Sequence, residues 1–137
     1  VGSWKLKAAK TVRANGEIVF PYGKNPIGLL IYDALGNMSG HVSRRGRDAY
    51  KMDDLRKGTV QEMSAAIKSY LAYFGTYTVN KKGGYVTHRV TGSLFPNWIG
   101  SRQKRFYKLT RDTLELSAPF TLDGQIHTAL LIWKRIT

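Results

Sequence analysis

Gly28-Leu29-Leu30-Ile31-Tyr32-Asp33-Ala34-Leu35-Gly36-Asn37-Met38-Ser39-Gly40-His41-Val42-Ser43-Arg44 decides the fold. Gly28 to Asp33 is an apolar run rich in β-formers. Ala34-Leu35-Gly36-Asn37 carries hairpin-turn chemistry, and Met38 to Arg44 reads as the returning strand. Pairing Tyr32 with Met38 across the turn puts Leu30, Tyr32, Met38, Gly40 and Val42 on one face. Ser39, His41 and Ser43 then share the other, expected to face solvent. Two strands joined this tightly are antiparallel neighbours.

Outward from this hairpin the pattern repeats. Trp4-Lys5-Leu6-Lys7-Ala8 alternates apolar and charged residues, as a half-buried strand does. Glu17 to Phe20 follows a turn at Asn15-Gly16, and Pro21 to Pro26 is a loop. Thr76 to Asn80 turns at Lys81-Lys82-Gly83-Gly84 into Tyr85 to Leu94. Pro96-Asn97-Trp98 interrupts the ladder. Arg102 to Leu109, Leu114 to Ser117, Phe120 to Leu122 and Gln125 to Ile136 complete the series. One stretch has helical period: Thr59 and Glu62 have capping-box spacing, and Met63, Ala66, Ile67, Tyr70 and Phe74 recur on one face. This predicts a single helix over about 60–74, stopped by Gly75. There is no repeat and no low-complexity segment. The expected architecture is mainly β: one domain over 1–137, an antiparallel up-and-down barrel of about eight to nine strands with one helix. A barrel of about eight strands encloses a small interior.

Composition narrows the function classes. The 137 residues include 22 Lys+Arg against 9 Asp+Glu, a formal net charge of +13, and no cysteine. The absence of cysteine excludes disulfides, thiolate metal sites and cysteine nucleophiles. No apolar run is long enough to span a membrane, and no signal peptide is visible, so a cytoplasmic location is expected. The start at Val1 leaves a removed leader open. The basic residues are spread along the strands and turns. That pattern reads as a solvated basic surface whose field favours an anionic ligand. Nucleic acid is not an expected partner; it would require exposed aromatics beside basic strands, with Tyr85 and Phe106 the candidates.

The residues that carry chemistry are few. No nucleophile elbow, phosphate-cradling loop or converging carboxylate pair is present. His41, His88 and His127 lie on separate strands without ligand spacing, so no metal and no cofactor are expected. His41 reads as exposed and His127 as a rim residue. His88 shares parity with Val86, Val90 and Leu94 and so belongs inside. It is either a core histidine bonded to tyrosine or backbone, or a group that contacts a ligand or moves a proton. Arg105 shares parity with Tyr107 and Leu109. It points inward unless a bulge after Pro96 flips the strand, and an inward arginine needs an acceptor. Asn97 either turns the chain or offers its amide to a ligand. The expected pocket lining is Tyr32, Met38, Tyr70, Tyr77, His88, Phe95, Asn97, Trp98, Arg105, Tyr107 and Trp133. Many tyrosines among apolar residues make a polar-spotted apolar pocket.

Both termini point to closure. Trp4 opens the first strand and Arg135 ends the last, so Arg135 is expected to stack on Trp4. A Gly-x-Trp start with a basic residue near the C-terminus resembles the lipocalin and wider calycin pattern. The blocks Gly28 to Tyr32, Gly36 to Ser39, Tyr70 to Tyr77, His88 and Gly92 to Trp98 resemble small bacterial and fungal lipocalin-like domains. This resemblance spans nearly the whole chain. It implies a calycin-type barrel with a helix capping or flanking it. It also implies one of two functions: binding a small hydrophobic or amphipathic molecule, or cofactor-free cyclase or isomerase activity in natural-product pathways. In the first, the ligand is largely apolar and anionic or carbonyl-bearing. In the second, His88 would move a proton and Arg105 would stabilise negative charge in the same pocket. The strongly basic composition departs from the usual family pattern.

Overall fold

The computed structural model describes residues 1–137. Its strands are β1 (Gly2–Val12), β2 (Ile18–Val19), β3 (Ile27–Tyr32), β4 (Asn37–Ser43), β5 (Tyr70–Asn80), β6 (Tyr85–Ser93), β7 (Arg102–Leu109), β8 (Thr113–Leu122) and β9 (Gln125–Arg135). One α-helix, α1 (Val60–Lys68), precedes β5, and a 3-10 turn, Pro96–Trp98, precedes β7. All neighbours are antiparallel in the order β2-β1-β3-β4-β5-β6-β7-β8-β9, and β1 also pairs with β9. Eight strands therefore close on themselves. The two-residue β2 is an extra flap on the far end of β1, where Thr11 faces Val19.

The deciding hairpin has the expected register, with Tyr32 opposite Met38 and Gly28 opposite Val42. Its turn is held by Asp33, whose carboxylate accepts from the backbone N–H groups of Leu35 and Asn37. These bonds hold the Asp33 carboxyl below its ordinary pKa. The inward set forms one core: Trp4, Leu6, Leu30, Tyr32, Met38, Val42, Val86, Leu114, Leu116 and Trp133 are all buried. Closure also matches expectation. Trp4 lies opposite Arg135, whose guanidinium sits 4.2 Å from the Trp4 ring centroid. Arg135 donates to the Arg111 and Val1 carbonyls as well, tying both chain ends together.

The helix is shorter than its periodicity predicts. It keeps the Thr59–Glu62 capping box but ends at Lys68, with Ser69 as C-cap. Tyr70 and Phe74 belong to β5, which pairs with β4 from Ser43–Tyr70 to Asn37–Thr76. The aromatic run from Tyr70 to Tyr77 satisfies helical and strand periods alike. A seven-residue ladder outweighs two more helical turns, because aromatics suit a pleated sheet. Gly75 is not a helix stop. It lies where the β5–β6 register skips Thr91, and a Cβ there would collide with the Arg89 carbonyl. The helix buries no residue and lies outside the barrel; Ile67 stays 56% exposed. No helix is long and apolar enough to cross a membrane.

Two solvent-side expectations are corrected by packing. Ser43 is buried and its hydroxyl donates to the Arg44 carbonyl. His127 is buried rather than at the rim, with Nδ1 accepting from the Ala14 N–H at 3.1 Å. The loop before β2 covers it.

Candidate functional site

The alternation of β-strands sends every second side chain of eight strands into the barrel, and two cavities remain between them. The smaller, about 230 Å³, lies where β1 begins and β9 ends; Trp4, Tyr32, Tyr77, Val86, Tyr107 and Leu114 are among its walls. The larger, about 420 Å³, opens at the opposite end, where β5 and β7 begin. Its apolar wall includes Leu30, Val42, Leu71, Leu131, Trp98 and Trp133. Its polar wall brings together Tyr73, His88, Gln103 and Arg105.

β6 is regular from Tyr85 to Val90, so His88 follows Val86 and Val90 inward and is 1% exposed. Both ring nitrogens are taken. Nε2 lies 2.5 Å from the Tyr32 hydroxyl and Nδ1 lies 2.7 Å from the Tyr73 hydroxyl. Burial, with the positive charge of Arg105 adding to it, depresses the His88 pKa to about 3. The imidazole is therefore neutral at physiological pH. Burial raises the pKa of Tyr32 and of Tyr73, and Arg105 partly opposes both shifts. Both phenols stay protonated. Neither ring nitrogen of His88 is left bare toward the cavity; the Tyr73 hydroxyl stands between the ring and the cavity wall.

Arg105 points inward. β7 pairs with β6 without a register shift, and Arg105 sits opposite the buried Val86. The bulge that would have turned it outward is absent from this ladder. Its guanidinium donates to the Lys104 carbonyl at 3.2 Å and to Gln103 Oε1 at 3.3 Å. Its positive charge also acts on the Tyr73 hydroxyl. None of the cavity-lining residues is Asp or Glu. The ion pairs of the chain are Arg13–Glu17 and Arg56–Asp54, both elsewhere. Arg105 is thus a cation at the cavity wall with neutral acceptors only, and it keeps donors to spare.

The remaining sequence candidates divide by position. Trp98 and Trp133 line the larger cavity. The Trp98 ring stands edge-on to Tyr73 at 5.6 Å and to Phe95 at 5.7 Å. Phe95 is 47% exposed and Asn97 is exposed, so both lie on the rim beside the opening. Tyr77 and Tyr107 fall in the smaller cavity, with Tyr32 on the boundary. Met38 is core and lines neither cavity. Tyr70 is displaced altogether: it lies on the outer face, its hydroxyl 2.8 Å from His41 Nδ1 and its ring under Arg47 at 5.0 Å. Its helical assignment put it inside; its β5 parity puts it out. Tyr73 and Gln103 are the residues that sequence reasoning missed. The signal for Tyr73 was its shared parity with Tyr77, hidden by the helix assignment. On the outer face, Tyr85 and Phe106 hold the Lys104 ammonium at 3.9 and 5.3 Å from their ring centroids.

Comparison with known proteins agrees with this geometry. The sequence profile of a family described as lipocalin-like domain matches residues 1–136. The chain is 34% identical to 4'-hydroxy-3'-methoxypropiophenone carrier protein ppsC of Aspergillus oryzae, over 72% of this chain and 96% of that protein. No solved structure matches.

Proposed function

The chain belongs to the lipocalin-like domain family, and from that premise we propose that it is a carrier that binds a small, largely apolar molecule bearing a carbonyl or anionic group in its larger cavity. The observation that carries this reading is the cavity itself: about 420 Å³, apolar on most sides, free of carboxylates, with hydroxyl and guanidinium donors gathered on one wall. That volume falls in the range of small-molecule sites, and the pattern of apolar walls with a few placed polar groups is their usual one. Donors without a counter-charge favour a ligand that brings an acceptor. The net charge of +13 adds a field in the same direction.

The relative's name supports the same chemistry, since 4'-hydroxy-3'-methoxypropiophenone is an aromatic ring with a short alkyl ketone. We take that ketone as the first probe. Titration of the purified protein, followed by tryptophan fluorescence and native mass spectrometry, is expected to give a 1:1 complex from which the ketone is recovered unchanged. Absence of a complex at millimolar ketone contradicts the reading. Conversion of the ketone to a product moves the assignment to the catalytic alternative.

A further inference from the structure

The hydrogen-bond chain Tyr32–His88–Tyr73 allows only two proton arrangements, and they leave a free proton at opposite ends. A neutral imidazole has one N–H and one bare nitrogen. One tyrosine must donate to the bare nitrogen. The other accepts from the N–H and keeps its own hydroxyl proton for another partner. If Nε2 carries the proton, the free hydroxyl proton is that of Tyr32. Tyr32 is 6% exposed, and around it the smaller cavity presents mostly apolar groups, Trp4, Val86, Leu114 and Leu116 among them, with the edge-on ring of Tyr77; Tyr107, Lys81 and Arg135 also line that cavity, and none of them hydrogen-bonds to the Tyr32 hydroxyl. Its hydroxyl has no hydrogen-bond partner there besides His88. The proton would be stranded, which protein interiors avoid.

If Nδ1 carries the proton, Tyr32 donates to Nε2 and is satisfied. Tyr73 then accepts from Nδ1–H, and its own proton is free at the wall of the larger cavity. Arg105 lines the same wall, so its guanidinium faces the same space as this free proton. We propose that His88 is the Nδ1–H tautomer, and that Tyr73 is thereby the specificity-determining donor that selects ligands with a carbonyl oxygen over isosteric ligands without one. The ligand half of this inference rests on the carrier reading; the tautomer half does not. Tyr73 O–H and a spare Arg105 N–H can both address one ketone oxygen, which has two lone pairs. Tyr32 and His88 are positioning residues, since they touch the ligand's acceptor only through Tyr73.

Two measurements test this. The first is ¹⁵N NMR of His88 in the unliganded wild-type protein at neutral pH. The expected spectrum has Nδ1 in the protonated range and Nε2 in the unprotonated range. An Nε2–H tautomer overturns the inference, whatever the titrations give. The second compares 4'-hydroxy-3'-methoxypropiophenone with its deoxo analogue, 2-methoxy-4-propylphenol, on wild type and Tyr73→Phe. Wild type is expected to prefer the ketone by roughly a hundredfold, the combined weight of a neutral hydrogen bond from Tyr73 and a charged one from Arg105. Tyr73→Phe is expected to cut that preference by about five- to tenfold, the remainder belonging to Arg105, with the analogue bound about as before. An unchanged preference in Tyr73→Phe overturns the role of Tyr73. If wild type binds neither compound, the carrier reading fails and takes the ligand half with it, while the NMR spectrum still decides the tautomer.

Discussion

The two ends of the barrel are built from the same eight strands and use cationic residues in opposite ways. At the end where β1 begins, Arg135 stacks on Trp4 and spends two donors on the backbone carbonyls of Arg111 and Val1. Its charge closes the fold. At the other end, Arg105 reaches the cavity wall with no carboxylate to meet it, beside a histidine that burial keeps neutral. A side chain whose partners are all supplied by the protein contributes to stability. One whose partners are left incomplete offers the missing place to a ligand. On the proposed carrier reading, the contrast assigns structure to the first end and recognition to the second, and it can be broken by substitutions at either.

The largest effect is expected at the closed end. Trp4→Ala removes a fully buried indole where β1 meets β3 and β9, and is expected to cost about 3–5 kcal/mol of stability. Denaturant titration checks it; a loss below 1 kcal/mol would mean that the seam does not hold the barrel.

A pH effect follows at the boundary between the cavities. His88 has a folded-state pKa near 3, against about 6.5 for an unfolded histidine. The unfolded chain therefore binds the proton first. This contribution is fully present above about pH 6.5 and is lost as pH falls toward 3, at up to ~1.4 kcal/mol per pH unit. The groups facing the ring are Tyr32, Tyr73 and Arg105, and burial pushes both tyrosines up, away from that window. Unfolding free energies of wild type and His88→Gln across pH 4–7 are expected to converge as pH falls. Parallel curves would mean that the imidazole is not held neutral.

Arg135→Ala is expected to cost a further ~0.5–2 kcal/mol from the lost cation–π contact, with ligand affinity unchanged. Arg105→Met is expected to do the reverse. It should weaken the ketone complex by about 1.5–3 kcal/mol, as for a charged hydrogen bond, with little change in denaturation midpoint. Equal effects of the two arginines on both readouts would erase the contrast between the ends. Asn97→Ala, at the exposed rim, is expected to change stability by no more than about 0.5 kcal/mol.

The sequence made the barrel legible where strands are regular. Tyr32 opposite Met38, His88 inside with Val86 and Val90, and Trp4 beside Arg135 all follow from parity and from the ends of the chain meeting. Arg105 was open between two directions because a single bulge reverses a strand, and only the β6–β7 register decides it. Tyr73 was hidden for a different reason. From Met63 to Phe74 the apolar spacing fits a helix as well as a strand, and only pairing with β4 separates the two beyond Lys68. That one boundary moved Tyr70 out of the expected pocket and brought Tyr73 into it. The cavity's division into two ends depends on how Trp4, Tyr32, Leu116 and Trp133 pack across the interior, which no local pattern records.

Isotope-filtered NOE spectroscopy on the protein with bound 4'-hydroxy-3'-methoxypropiophenone tests the assignment of the two ends most directly. The ligand is expected to show contacts to Leu71, Tyr73, Trp98 and Leu131, and none to Tyr77, Tyr107 or Leu109. Contacts to Tyr77, Tyr107 and Leu109 in place of the first set would contradict that assignment, and would make the end closed by Trp4 and Arg135 the binding end.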